Sequence, residues 1–139
     1  MSWRDFELAA PEVAQAAKSR FEATRIALLG TLRADGSPRI SPVEPFFTSD
    51  HLLFRAMTRS HKARDLERDP RCVLHSAISE PEAGEREFKL YGTAVVCDED
   101  ERDAPSDAWW ASHPAEAARV FSLEIEEARG LEERTRAYP

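Results

Sequence analysis

The sequence predicts a mainly β fold, a small antiparallel barrel of six strands with helices at its rim. Three observations lead there. Six segments of strand length are apolar or alternate apolar with polar residues; the turns between them are mostly short and carry Gly, Pro, Asp and Ser; and helical patterning is confined to stretches before the first strand, between the third and fourth, and before the last. Closing the sheet removes the exposed edges that an open sheet would present. At 139 residues the chain can bury a core without disulfides or metal, and a single domain over 1–139 is the expectation.

Residues 11–25 carry Val13, Ala16, Ala17 and Phe21 near helical spacing, and Pro11 suits a first turn, which predicts an amphipathic opening helix. The barrel is expected over 26–97. Its first strand, 26–33, runs into Asp35-Gly36, a strong hairpin signal. The returning strand, 39–47, follows Pro38 and contains Pro42 and Pro45; proline cannot donate to a ladder, so this strand is an edge, is bulged, or lies beside a ligand. A turn at 48–51 leads to a third strand, 52–57. Residues 58–61 then enter a short helix over 62–68 capped by Ser60 and stopped by Asp69-Pro70. Strands over 71–79 and 86–97 flank a polar loop at 80–85 and pair antiparallel. A helical segment is expected over 98–118, which is acidic at its start and contains Trp109, Trp110 and Pro114. A closing strand follows over 119–127, with Phe121, Leu123 and Ile125 on one face, and the charged remainder, 128–139, is expected to fray.

A net charge of −7 argues against general nucleic-acid binding, because neutralising phosphates needs a basic surface. It does not forbid one local anion site. The longest apolar stretch is far short of a membrane span, and a cytoplasmic location is the expectation. Cys72 and Cys97 fit neither a disulfide framework nor a zinc pattern and read as buried thiols. His51, His75 and His113 show no metal-ligand spacing, so no metal site is expected. Sixteen arginines stand against three lysines, which draws attention to a lysine placed beside hydroxyl residues.

That lysine is Lys62. A strand ending in hydroxyl residues and followed at once by a helix N-terminus gathers backbone N–H groups and the positive end of the helix dipole around one spot, which attracts phosphate. Lys62 adds a point charge, Ser60 a hydroxyl, and Thr58, Arg55 and Arg59 further donors. On the residues alone, the same segment also reads as a solvated basic helix start with Ser60 merely capping it.

The run Gly30 to Ser49 (GTLRADGSPRISPVEPFFTS), followed by Leu53-Phe54, Ser60-His61-Lys62-Ala63-Arg64-Asp65-Leu66, Asp69-Pro70-Arg71 and Leu90-Tyr91-Gly92-Thr93-Ala94, resembles the split-barrel flavin and deazaflavin proteins related to pyridoxamine 5'-phosphate oxidase. The resemblance covers about 24–97, with the closing strand again familiar. It implies a six-stranded antiparallel split β-barrel that binds FMN, or alternatively the deazaflavin F420, at a site built between two copies in a homodimer. By resemblance, Ser60, Lys62 and Thr58 anchor the cofactor phosphate with Arg55 assisting, Arg55 and Ala56 lie alongside the cofactor, and His61 is a cofactor-binding position between Ser60 and Lys62. By the same resemblance, the strand Ile40 to Pro45 offers backbone groups to the ring edge, with Val43, Glu44 and Pro45 positioning the ring. Two positions depart from the pattern: His61 stands where many relatives carry arginine, and Glu44 where many carry an aromatic or neutral residue. The implied activity is that of an oxidoreductase passing hydride to or from a small organic substrate, with no catalytic side chain singled out. The alternatives are a flavin-, haem- or tetrapyrrole-binding module without turnover, and a split barrel that has lost its ligand. Trp109 and Trp110 either cover a cofactor ring or pack at a dimer seam or core.

Overall fold

Alternation along the strands sets which face is inward. In β1 (Ala27–Leu32) the buried residues are Ala27, Leu29 and Thr31, while Leu28 points outward. The computed structural model describes residues 1–78, 86–97 and 118–131, and within them β1 is followed by β2 (Pro38–Val43), β3 (Phe46–Phe47), β4 (Leu52–Met57), β5 (Arg71–Ser76), β6 (Glu87–Val96) and β7 (Ala118–Leu131). All neighbours pair antiparallel in the order β2-β1-β5-β6-β7-β4-β3. The sheet curls into a half-barrel, which brings edge strand β2 back toward β4.

Asp35-Gly36 makes the β1–β2 turn as its chemistry requires. Gly36 takes a φ of 86°, and the Asp35 carboxylate accepts the Ser37 N–H at 3.0 Å. At the other end of the sheet, β6 and β7 change register at the Tyr91–Gly92 step, a β-bulge. Gly92 is required there, because a Cβ would run into the Glu124 carbonyl.

Three helices complete the described fold: α1 (Trp3–Ala9), α2 (Pro11–Thr24) and α3 (His61–Arg68). Pro11 occupies the first turn of α2 as its fixed φ favours, and Ser60 caps α3 by accepting the Ala63 N–H at 3.2 Å. Helices α1 and α2 pack Trp3, Phe6, Ala14, Ala17 and Phe21 against the barrel interior, where they join Leu29, Phe54, Leu74, Phe88, Leu90 and Phe121 in one core. Trp3 meets Phe47 edge-on with centroids 4.7 Å apart. Leu53, Val120 and Cys97 form a smaller cluster on the opposite face of the sheet.

Several expectations need correction. Helix α1 was not anticipated; Ser2 caps it by accepting the Asp5 N–H, and its two inward residues, Trp3 and Phe6, are too few to stand out as a periodic stripe. The returning strand over 39–47 is two strands, because Pro45 cannot donate and the ladder is interrupted at Glu44-Pro45; the described strands therefore number seven, not six. The strand expected over 71–79 ends at Ser76. The closing strand runs past 127 to Leu131, so residues 128–131 are paired with β6 rather than frayed. Ala128 is exposed and Arg129 and Gly130 are half-buried, so the ladder persists here without a buried apolar stripe to reveal it. The segment over 98–117, with Trp109, Trp110 and His113, and the tail over 132–139 lie outside the described residues.

Candidate functional site

The curl of the sheet leaves a groove of about 240 Å³ where the end of β2 faces the end of β4 beside the start of α3. Ile26, Pro42, Val43, Glu44, Arg55, Ala56, Met57 and Lys62 line it. Residues far apart in sequence meet here because β2 and β4 are brought together by sheet curvature, while α3 follows β4 after one turn.

Five of the residues expected at a site converge on this groove: Val43, Glu44, Arg55, Ala56 and Lys62. Pro45, Thr58, Ser60 and His61 do not line it. The Ser60 hydroxyl donates to the Met57 carbonyl at 2.7 Å while accepting the Ala63 N–H, so it shapes the turn from β4 into α3. His61 is the exposed first residue of α3, next to Lys62. Two lining residues, Ile26 and Met57, were not singled out from the sequence, whereas Pro42 belongs to the segment expected beside a ligand. Met57 follows the expected pair Arg55-Ala56, and Pro42 lies within the proline-interrupted strand, whereas no local signal marks Ile26.

The charges in the groove are arranged unequally. Lys62, half-buried, donates from Nζ to the Pro42 carbonyl at 3.3 Å in a solvent-exposed bond. Arg55 is half-buried on β4, opposite Val120 in the ladder, and has no ion-pair partner among the described residues. Glu44 lines the same groove and forms no ion pair with either cation. The donor set of one ammonium and one guanidinium suits a phosphate, since both can make charge-assisted bonds to its oxygens. The apolar lining supplied by Ile26, Val43, Ala56 and Met57 suits a ring or other flat apolar group.

Behind the groove, α3 carries a buried carboxylate. Asp65 accepts from Arg39 Nε at 2.7 Å, from Thr31 Oγ1 at 2.8 Å and from Arg68 Nη2 at 3.0 Å. Burial pushes its pKa up, but the hydrogen bonds from Arg39, Thr31 and Arg68 and the Arg39 charge outweigh burial and leave the carboxyl below the usual range. Cys72 and Cys97 are both buried and are not joined in a disulfide. Among the described residues no group of His, Cys, Asp and Glu is placed to hold a metal ion, and no helix is long and apolar enough to cross a membrane.

Several solved structures share this fold. A haem-binding protein of Mycobacterium smegmatis superposes with a TM-score of 0.68 at 22% identity over 84% of this chain; the chain spans only about half, 53%, of that protein's length. An FMN-binding protein related to pyridoxamine 5'-phosphate oxidase, from Nostoc punctiforme, has a TM-score of 0.67 at 17% identity, covering 91% of this chain and 84% of its own. The haem-storage protein HutZ of Vibrio cholerae has a TM-score of 0.61 at 18% identity, covering 85% and 90% respectively. At these identities the likeness is one of fold. No curated protein matches the chain significantly. The sequence pattern described as pyridoxamine 5'-phosphate oxidase matches residues 13–132, which takes in the curled sheet and the groove, and the chain therefore belongs to the pyridoxamine 5'-phosphate oxidase family.

Proposed function

We propose that this chain binds FMN in the groove between β2, β4 and α3, and serves as a flavin-dependent oxidoreductase acting on a small organic substrate. The observation that carries this reading is the meeting of Lys62 and Arg55 with the apolar wall of Ile26, Val43, Ala56 and Met57 in one groove. Lys62 and Arg55 hold the phosphate, with Ser60, His61 and Thr58 around the turn beside it. Val43, Glu44 and Pro45 border the ring. When bound, the flavin supplies the hydride chemistry, and the chain binds, orients and shields it. Ligand pockets usually measure roughly 300–1,000 Å³, so a groove of about 240 Å³ is short of a full cofactor site. A homodimer supplies the missing wall, and the apolar residues exposed on the outer sheet face, Leu28, Ile40, Met57 and Val95, favour such a contact.

FMN is favoured over F420 by charge. An oligoglutamate tail needs a basic path away from the phosphate, whereas Asp65, Glu67 and Glu44 accompany Arg55, Arg59, Lys62 and Arg64 in this region and the net charge is −7. A second reading, haem or another tetrapyrrole held without turnover, is favoured by His61, an exposed imidazole one residue from Lys62, and by the fold shared with haem-binding proteins. Reconstitution of the purified protein with FMN, F420 and haem in parallel, read by visible spectrum and titration, separates these readings. Saturable flavin binding tighter than the other two supports the first, a Soret band with haem alone supports the second, and uptake of none refutes both. A site within one dimeric protein in the cytoplasm, with no nucleic-acid or membrane partner, completes the proposal.

A further inference from the structure

Helix α3 is tied to the β1–β2 hairpin at three positions spaced three residues apart. Lys62 Nζ donates to the Pro42 carbonyl at 3.3 Å, the Asp65 carboxylate accepts from Arg39 Nε and Thr31 Oγ1 at 2.7 and 2.8 Å, and Arg68 Nη2 donates to the Leu32 carbonyl at 2.8 Å. Positions three apart share one helix face, so all three ties point the same way. Thr31 and Arg39 are direct partners in the β1–β2 ladder, and the one carboxylate therefore grips both strands at once. Arg68 closes the second oxygen of Asp65 at 3.0 Å. Asp65 is 3% exposed, in contrast to the half-buried Lys62 and the exposed Arg68 that flank it. A helix of eight residues is not stable alone in water, so its place depends on such ties.

We propose that Asp65 is a positioning residue, whose carboxylate clamps α3 across the β1–β2 hairpin and so holds Lys62 against the Pro42–Glu44 wall of the groove. This inference rests on the groove being the FMN site. A phosphate that recruits Lys62 takes its ammonium away from the Pro42 carbonyl and releases the outermost of the three ties. The buried tie at Asp65 does not face the ligand and is not surrendered. The two walls of the groove thus keep their register while the ligand is taken up.

The test uses the full chain with Asp65→Asn, which keeps the shape of the side chain and removes its charge, and Arg39→Gln, which removes the principal donor. Amide hydrogen exchange of the ligand-free protein and titration with FMN are measured side by side. Each variant is expected to lose about tenfold or more protection in α3 while β5 and β6 keep theirs, and to bind FMN about tenfold or more weakly; the double variant is expected to be no worse than the poorer single one. Unchanged exchange, or a loss spread evenly over α3, β5 and β6, overturns the proposal. Faster exchange in α3 with unaltered FMN affinity also overturns it. Failure of the unmodified chain to bind FMN refutes the cofactor reading instead, and the exchange measurement alone then decides the clamp. Should Asp65→Asn not fold, Thr31→Val removes one donor to the same carboxylate at nearly constant volume and is judged by the same measurements.

Discussion

Replacing Lys62 by alanine tests the phosphate end of the groove, and the structure sets the size of the effect. A hydrogen bond to a charged group contributes about 1.5–3 kcal/mol. In the free protein, however, Lys62 already donates to the Pro42 carbonyl at 3.3 Å, a long, solvent-exposed bond whose loss on binding offsets about 0.5 kcal/mol. The net cost of Lys62→Ala is then about 1–2.5 kcal/mol, or roughly 5- to 70-fold in the dissociation constant of FMN. Arg55 gives up no ion-pair partner among the described residues and is half-buried, so Arg55→Gln is expected to cost the full 1.5–3 kcal/mol, about 10- to 150-fold. The ordering, with Arg55 at least as costly as Lys62, is the part specific to this groove. Fluorescence titration with FMN and with riboflavin, which lacks the phosphate, measures it at two ionic strengths. Affinity for riboflavin should not change in Lys62→Ala. Equal FMN affinity in both variants and the unmodified chain, or equal losses for FMN and riboflavin, would refute the assignment of the phosphate to these cations.

Other expectations follow from the same geometry. Because the folded pKa of Asp65 is depressed, its contribution is fully present above the unfolded carboxylate value of about 3.9 and is lost as pH falls through the folded value; urea unfolding should therefore show a shallower acid dependence below about pH 4 in Asp65→Asn than in the unmodified chain, and equal slopes would contradict this. Burial, with the nearby Glu126 charge, pushes the Cys72 thiol up to about 12, so it should resist thiol reagents at pH 8 in the native protein and react once the chain is unfolded; rapid native labelling of Cys72 would disprove this. Gly92→Ala forces a methyl group into the Glu124 backbone and should lower stability by about 3 kcal/mol or more, seen as a fall in Tm, whereas an unchanged Tm would show that the bulge can move. Light scattering at micromolar concentration should return twice the chain mass of 15.7 kDa, and Ile40→Glu, at a residue 72% exposed on the outer sheet face, should shift it toward one chain; a single-chain mass for the unmodified protein would end the dimer proposal.

Local chemistry made much of this molecule legible in its sequence. Asp35-Gly36 marks the first hairpin because few residues accept a positive φ, Ser60 marks the start of α3 because its hydroxyl can satisfy a free N–H, and the short apolar run Leu52–Met57 between two turns marks a strand. The same local reading missed α1, whose place comes from Trp3 packing on Phe47 across the barrel mouth, and the extension of β7 to Leu131, whose ladder needs no apolar pattern. Lys62 and Arg55 could be suspected from the sequence because they flank one turn. Val43 and Glu44 are joined to them in sequence only through the family resemblance, and that they and Ile26 face these cations across a groove follows from the curl of the sheet, which brings β2 to β4 through no local sequence relation. Asp65 shows the limit most clearly: in sequence it is one more charge on a short polar helix, and only the approach of Thr31 and Arg39 from the opposite hairpin makes it a buried carboxylate with three donors.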